Sequence, residues 1–153
     1  MKILILYDSI YGNTEQIARK IGSAIIGDVK VLRIDEFNPS SLEPVDFLFI
    51  GSPTQAGKAT PAMNDFLNKI HETALKKINI ATFDTRLSMR FAGIFNYAAG
   101  KIANSLKSKG AVLVSSPQGF FVKGKEGPLK EGELERAAIW AKETVSILNS
   151  AIT

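Results

Sequence analysis

Ser9, Tyr11, Asn13 and Thr14 place three hydroxyls and one amide within six residues, and Gly12 sits among them. The stretch Tyr7-Asp8-Ser9-Ile10-Tyr11-Gly12-Asn13-Thr14-Glu15 follows the apolar run Ile3-Leu4-Ile5-Leu6 and precedes a helical pattern. Gly12 lets the backbone turn tightly. A loop of this kind, between a strand and a helix N-terminus, suits a phosphate: backbone N–H groups converge and the helix dipole favours an anion. No Lys or Arg lies between Lys2 and Arg19, so a phosphate here would be held by neutral donors. The competing reading is an ordinary strand-to-helix turn with Asn13 as its cap. The density of polar groups and their position favour the phosphate.

Other chemistries are excluded by residue type. The chain has no cysteine, which removes disulfides, thiolate metal sites and Cys nucleophiles. Its single histidine, His71, leaves little scope for a His-based metal site or triad, and reads as a surface residue late in a helix. Gly57-Lys58 superficially suggests a nucleotide P-loop, but G-x-x-x-x-G-K-[ST] fails at Ser52 and at Ala59. A G-x-G-x-x-G fingerprint after the first strand is absent. Asp8 raises a phosphoacceptor receiver domain, yet the end of the third strand carries Gly51-Ser52-Pro53-Thr54 where that reading needs an Asp. Trp140 reads as packing, and Lys123–Lys130 as a solvated loop.

The elements that must position the loop are legible from hydrophobic period. Lys2–Tyr7, Val29–Ile34, Phe47–Gly51, Ile78–Phe83 and Ala111–Ser115 read as short strands, apolar on both faces, as in a parallel sheet covered on both sides. A helix is predicted from about Thr14, with Asn13 and Gln16 resembling a capping box and Ile17, Ile21 and Ile25 on one face. Thr60-Pro61 signals the next helix start, followed by Met63, Phe66, Leu67 and Ile70. A further helix carries Ile102 and Leu106 and stops at Gly110. The last runs from about Gly132, with Leu134, Ala138, Ala141, Val145, Leu148 and Ile152 along one face. Asp35–Pro44 has room for no more than a turn of helix. Five strands joined by right-handed crossovers give an α/β, doubly wound parallel sheet.

At 153 residues the chain is expected to form a single domain, 1–153, with a substantial core. A hydrophobic share of 45% and a charged share of 22% are those of an ordinary globular protein. No segment approaches transmembrane length and the apolar start is too short for a signal peptide, so a cytoplasmic protein without membrane contact is expected. The formal charge is +4, but the lysines are scattered over helices and loops, and nucleic acid is not expected as a partner.

Ser9-Ile10-Tyr11-Gly12-Asn13-Thr14-Glu15 closely resembles the flavodoxin phosphate loop, Thr/Ser-x-Thr-Gly-Asn-Thr-Glu. Gly51-Ser52-Pro53-Thr54 resembles the second flavin loop of flavodoxins, of flavodiiron flavin domains and of related quinone reductases. Length and element order match the short-chain flavodoxins across essentially the whole chain. The resemblance implies a five-stranded sheet of order 2-1-3-4-5, with functional loops after strands one, three and four, here Asp8–Thr14, Ser52–Thr60 and Asp84–Arg90.

It further implies non-covalent FMN. Ser9, Ile10, Tyr11, Gly12, Asn13 and Thr14 would form the phosphate loop. Pro53, Thr54, Gln55, Ala56 and Gly57 would run beside the ribityl chain and the ring, with the Gly57 carbonyl available to the reduced ring. Phe83, Asp84, Thr85 and Arg86 correspond to the loop on the other side, where Arg86 would stack on the ring or face its charge. The chain departs from the family in two respects. Gln55 stands where a stacking Trp is frequent, and Asp84–Arg90 holds no aromatic residue. Many flavodoxins are acidic, whereas this chain is basic.

The function implied is electron transfer with redox partner proteins, with no side chain required as acid or base. An NAD(P)H–quinone type oxidoreductase, and a flavodoxin-fold interaction module without FMN, stand as alternatives.

Overall fold

The computed structural model describes residues 1–87 and 96–152. Six strands form one parallel sheet: β1 (Lys2–Tyr7), β2 (Asp28–Arg33), β3 (Phe47–Pro53), β4 (Asn79–Leu87), β5 (Val112–Leu113) and β6 (Gln118–Val122). Their order is β2-β1-β3-β4-β5, with β6 also on β4. The helices are α1 (Asn13–Ala24), α2 (Pro61–Lys69), α3 (Glu72–Leu75), α4 (Ala98–Ser108) and α5 (Glu133–Ile152). Two single 3-10 turns, Ile34–Glu36 and Pro39–Ser41, fill the connection from β2 to β3. The expected order 2-1-3-4-5 is the order observed.

The near-continuous apolar strands split their side chains between two cores, because successive residues point to opposite faces. Leu4, Leu6, Leu48, Ile50 and Ile80 face Met63, Phe66, Ile102 and Leu106 of α2 and α4. Ile3, Ile5, Tyr7, Phe49 and Phe83 face Ile17 and Ile21 of α1 and Trp140 of α5. Trp140 meets Phe49, Phe83 and Phe120 edge to face at 5.5, 6.2 and 5.9 Å between ring centres, the packing role expected of it.

Several sequence expectations change. Asn13 is not the cap of α1: Gly12, which has no side chain to cap with, occupies that position in the left-handed region, φ 91°. The buried centre of the α5 face is Ala137, Trp140, Ala141 and Thr144, with Leu134, Val145 and Leu148 of the expected stripe packed against the core beside it. His71 is not late in a helix but is the exposed residue preceding α3.

The fifth strand divides. β5 pairs with Asn79 and Ile80, the chain leaves the sheet around Pro117, and β6 rejoins β4 along Phe83–Leu87. Pro117 cannot donate to a ladder and biases Ser116 as well, which accounts for the break. With β6 as a partner, β4 continues through Asp84, Thr85, Arg86 and Leu87, so the first half of the expected third loop is strand. Ser88, Met89 and Arg90 of that loop lie outside the described residues.

Candidate functional site

The carboxyl ends of β1, β3 and β4 open onto a cavity of about 590 Å³. That lies within the roughly 300–1,000 Å³ usual for small-molecule sites, and at the crevice beyond the strand ends where open α/β sheets bind ligands. Of the residues expected there, Ser9, Ile10, Tyr11, Asn13, Thr14, Pro53, Thr54, Gln55, Ala56, Gly57, Thr85 and Arg86 line it. Gly12 turns the chain between them at φ 91°.

The first loop is organised from beneath. The Ser9 hydroxyl oxygen accepts N–H bonds from Gly12 at 3.1 Å and Glu15 at 3.4 Å. Its own hydrogen is therefore left to donate elsewhere. Arg33 donates to the Ser9 carbonyl at 2.7 Å and lies 3.6 Å from Asp8, so this guanidinium braces the loop from the sheet edge. Asp8 accepts from Thr60 at 2.5 Å, and Thr60 in turn caps α2 through the Met63 N–H at 3.1 Å. Asp8 is thus a structural strut between β1 and α2.

Thr14 and Thr85 share a hydroxyl–hydroxyl bond of 2.8 Å. Two hydroxyls bring two protons to one such bond, so one proton remains for a further acceptor. Ser9 takes the Glu15 N–H, but the Asn13 and Thr14 N–H groups at the start of α1, which have no intrahelical acceptor, keep their capacity to bind an anion. This is the donor set of a phosphate site. Asn13 is committed differently: its amide donates to the Glu126 carbonyl at 3.2 Å.

The second loop is a tight turn. Gln55 and Lys58 exchange both backbone hydrogen bonds, at 2.8 and 2.9 Å. Ala56 (φ 48°) and Gly57 (φ 77°) occupy the left-handed positions of a two-residue hairpin, which Gly adopts without strain. Thr54 donates its N–H to the Thr85 carbonyl at 2.9 Å and accepts the Ala98 N–H at 3.0 Å, tying the turn to β4 and to the start of α4.

The third wall differs from expectation in two residues. Phe83 is fully buried among the core rings. A Cβ on Gly51 would come within 2.3 Å of its ring, so this glycine is needed for Phe83 to lie flat against β3. Asp84 is also fully buried and does not line the cavity. It holds Arg86 by two bonds of 2.7 and 2.9 Å and accepts the Ala99 N–H at 2.9 Å. Burial pushes the Asp84 carboxyl up, against the opposing pull of Arg86 and that N–H.

Arg86 in turn lies 3.7 Å from the centre of the Tyr97 ring and packs on Gly119, where a Cβ would fall 2.4 Å from the guanidinium. Tyr97 is thus the aromatic residue lining the cavity on this wall. Leu87, within the expected third loop, completes the lining together with Asn96, Val122 and Lys125, which were unforeseen. Gly119-Phe120-Phe121-Val122, rich in aromatic and β-branched residues, was a readable strand signal for Val122. The Lys123–Lys130 segment carried no signal for Lys125.

The residues present fit FMN. There are uncharged donors at a helix start for a terminal phosphate, a largely apolar slot between the Gln55–Lys58 turn and the Arg86–Tyr97 wall, and a cavity of matching scale. A family model described as a flavodoxin domain matches residues 4–119. A flavodoxin of Haemophilus influenzae is 26% identical over 132 residues, covering 84% of this chain and 76% of that protein. One of Clostridium saccharobutylicum is 29% identical over 124 residues, covering 78% and 76%. The crystal structure of oxidised flavodoxin 2 from Bacillus cereus shares the fold with a TM-score of 0.78 at 24% identity, over 95% of this chain and 99% of that one. The chain belongs to the flavodoxin family of FMN-binding electron-transfer proteins.

Proposed function

We propose that this cavity holds FMN with its phosphate on the Ser9–Thr14 loop and its ring between Gln55–Gly57 and Tyr97, and that the chain carries electrons between separate redox proteins. FMN, when bound, supplies the one- and two-electron chemistry; the protein supplies position and electrostatics. Ser9 and the Thr14–Thr85 pair orient the phosphate, and the start of α1 adds the Asn13 and Thr14 N–H groups. The Gln55–Lys58 turn and Tyr97 limit water access to the ring. No side chain at the cavity is assigned a proton-transfer role. The whole of 1–153 is read as one such domain, working in the cytoplasm, with which the cysteine-free composition agrees.

The observation that carries this reading is the α1 start at Gly12, where the Asn13 and Thr14 N–H groups find no acceptor among the described residues and the Ser9 hydroxyl and the Thr14–Thr85 pair each retain a proton to donate. Titration of the apoprotein with FMN, riboflavin and FAD tests it. FMN is expected to bind most tightly, and riboflavin binding as tightly as FMN would sink the phosphate placement. A carrier is also expected to oxidise NAD(P)H only when a separate reductase is added. Rapid NAD(P)H–quinone turnover by the protein alone would make it a self-contained oxidoreductase instead. Absence of any flavin affinity would leave only an interaction module.

A further inference from the structure

We propose that Lys125, from the far end of the chain, provides the cationic charge for the FMN phosphate, and that the Lys123–Lys130 loop is latched onto the phosphate loop for this purpose. The inference rests on the FMN reading above. Ser9–Thr14 contains no cation, and a monophosphate ester carries about −1.5 to −2 at neutral pH. The cations Arg86 and Lys125 line the cavity, and Arg33 and Lys130 belong to the segments around it. Arg33 is taken up by Asp8 and the Ser9 carbonyl beneath the loop, and Arg86 by Asp84. Lys130 lies over the Phe121 ring. Lys125 lines the cavity together with Ser9, Tyr11, Asn13 and Thr14 and, among the described residues, makes no ion pair.

The backbone on its C-terminal side is fastened to the same loop. The Asn13 amide donates to the Glu126 carbonyl at 3.2 Å. Gly127 packs so closely that a Cβ would sit 2.6 Å from the Asn13 amide oxygen, and its φ of 107° is one that side-chain-bearing residues avoid. The Gly127 N–H closes the turn on the Gly124 carbonyl at 3.0 Å. Asn13 thus acts as the latch, and Lys125 is held one residue from it. A flexible ammonium on a fixed backbone is suited to a phosphate as a mobile point charge.

The test compares FMN and riboflavin affinities of the wild type, Lys125→Gln and Gly127→Ala, at low and at moderate salt. Lys125 is exposed, so its replacement is expected to leave folding intact. For Lys125→Gln we expect FMN affinity to fall about tenfold at low salt, the loss of a charge-assisted contact open to water, with riboflavin affinity unchanged. The salt sensitivity of FMN binding should fall with it, because exposed charges are screened over about 8–10 Å. Gly127→Ala should lower the FMN-to-riboflavin preference without removing any charge. Equal losses for both ligands in Lys125→Gln, or no loss for either, would overturn the role of Lys125. A wild type with no preference for FMN over riboflavin would instead overturn the phosphate placement itself.

Discussion

The Arg86 guanidinium stacks on the Tyr97 ring at 3.7 Å while both oxygens of Asp84 hold it from below. Asp84, Arg86 and Tyr97 therefore form one unit, anchored in the buried part of β4 and ending at the cavity. A stacked guanidinium contributes about 0.5–2 kcal/mol and fixes the ring plane. Tyr97→Leu should weaken FMN binding by roughly 0.5–1.5 kcal/mol, the aromatic contribution beyond area burial. Tyr97→Phe should keep most of the affinity. Fluorescence titration of both variants decides it, and wild-type affinity in Tyr97→Leu would mean that the ring does not face the flavin.

Removing Arg86 should act on stability with a specific pH dependence. Arg86 is 11% exposed and Asp84 fully buried, so Arg86→Met leaves a carboxylate without its counter-charge. Breaking a buried pair costs about 3–5 kcal/mol. Burial already pushes Asp84 up, and the loss of Arg86 pushes it further. A carboxyl whose folded value is raised binds its proton more tightly in the native state. Its contribution is whole below the unfolded value of about 3.9 and is lost as pH rises through the folded value. Urea unfolding should show the variant most impaired near pH 7 and closer to wild type near pH 4.5. An impairment independent of pH would show that Asp84 stays neutral.

Much of this site is readable from the chain because it depends on local chemistry. Ser9–Thr14 follows its strand directly, and Gly12, Ser9 and Thr14 act within one turn of one another. The apolar runs of β1 and β3 announce a sheet covered on both faces, and the sheet order followed from the family. The parts that were not legible depend on distant pairing. Phe83 reads as the end of a strand only if β6 is absent; with β6 on β4, the strand runs four residues further, and Phe83 shares the core face of Ala81. Tyr97 and Lys125 reach the cavity through the path of α4 and through the Asn13–Glu126 contact, and neither leaves a local pattern. Gln118–Val122 follows Pro117, which obscured its continuation of the sheet.

Gln55 is exposed at the cavity wall in the hairpin turn where related proteins frequently carry a stacking aromatic. Its neighbours Ala56 and Gly57 set the turn geometry, and the Gln55 side chain makes no hydrogen bond of its own among the described residues. Gln55→Trp should therefore preserve the turn and tighten FMN binding by about 0.5–1.5 kcal/mol beyond burial. Equilibrium titration, with circular dichroism to verify the fold, checks this. Unchanged affinity in a folded variant would place residue 55 away from the ring.

Glu133 joins the start of α5 to β6, the strand that carries Val122 and leads to Lys125. Its carboxylate accepts the Phe121 N–H at 2.7 Å and two bonds from Arg136, at 2.6 and 2.9 Å, and Arg136 also donates to the Gly119 carbonyl at 2.6 Å. Burial alone would push the Glu133 carboxyl up, but Arg136 and the Phe121 N–H more than reverse this, and it is held below the ordinary glutamate value. A lowered folded value stabilises the native state above the unfolded value of about 4.3, and that gain disappears as pH falls through the folded value. Glu133→Gln turns an acceptor into a donor opposite donors, with a cost of about 1.5–3 kcal/mol for hydrogen bonds to a charged group. The variant should be less stable than wild type at pH 7, and the gap should narrow as the solution is acidified below about pH 4. Because β6 would loosen on β4, FMN affinity should fall with it while riboflavin affinity falls less. Parallel unfolding curves whose separation does not change with pH would show that the carboxylate charge contributes nothing to fastening β6.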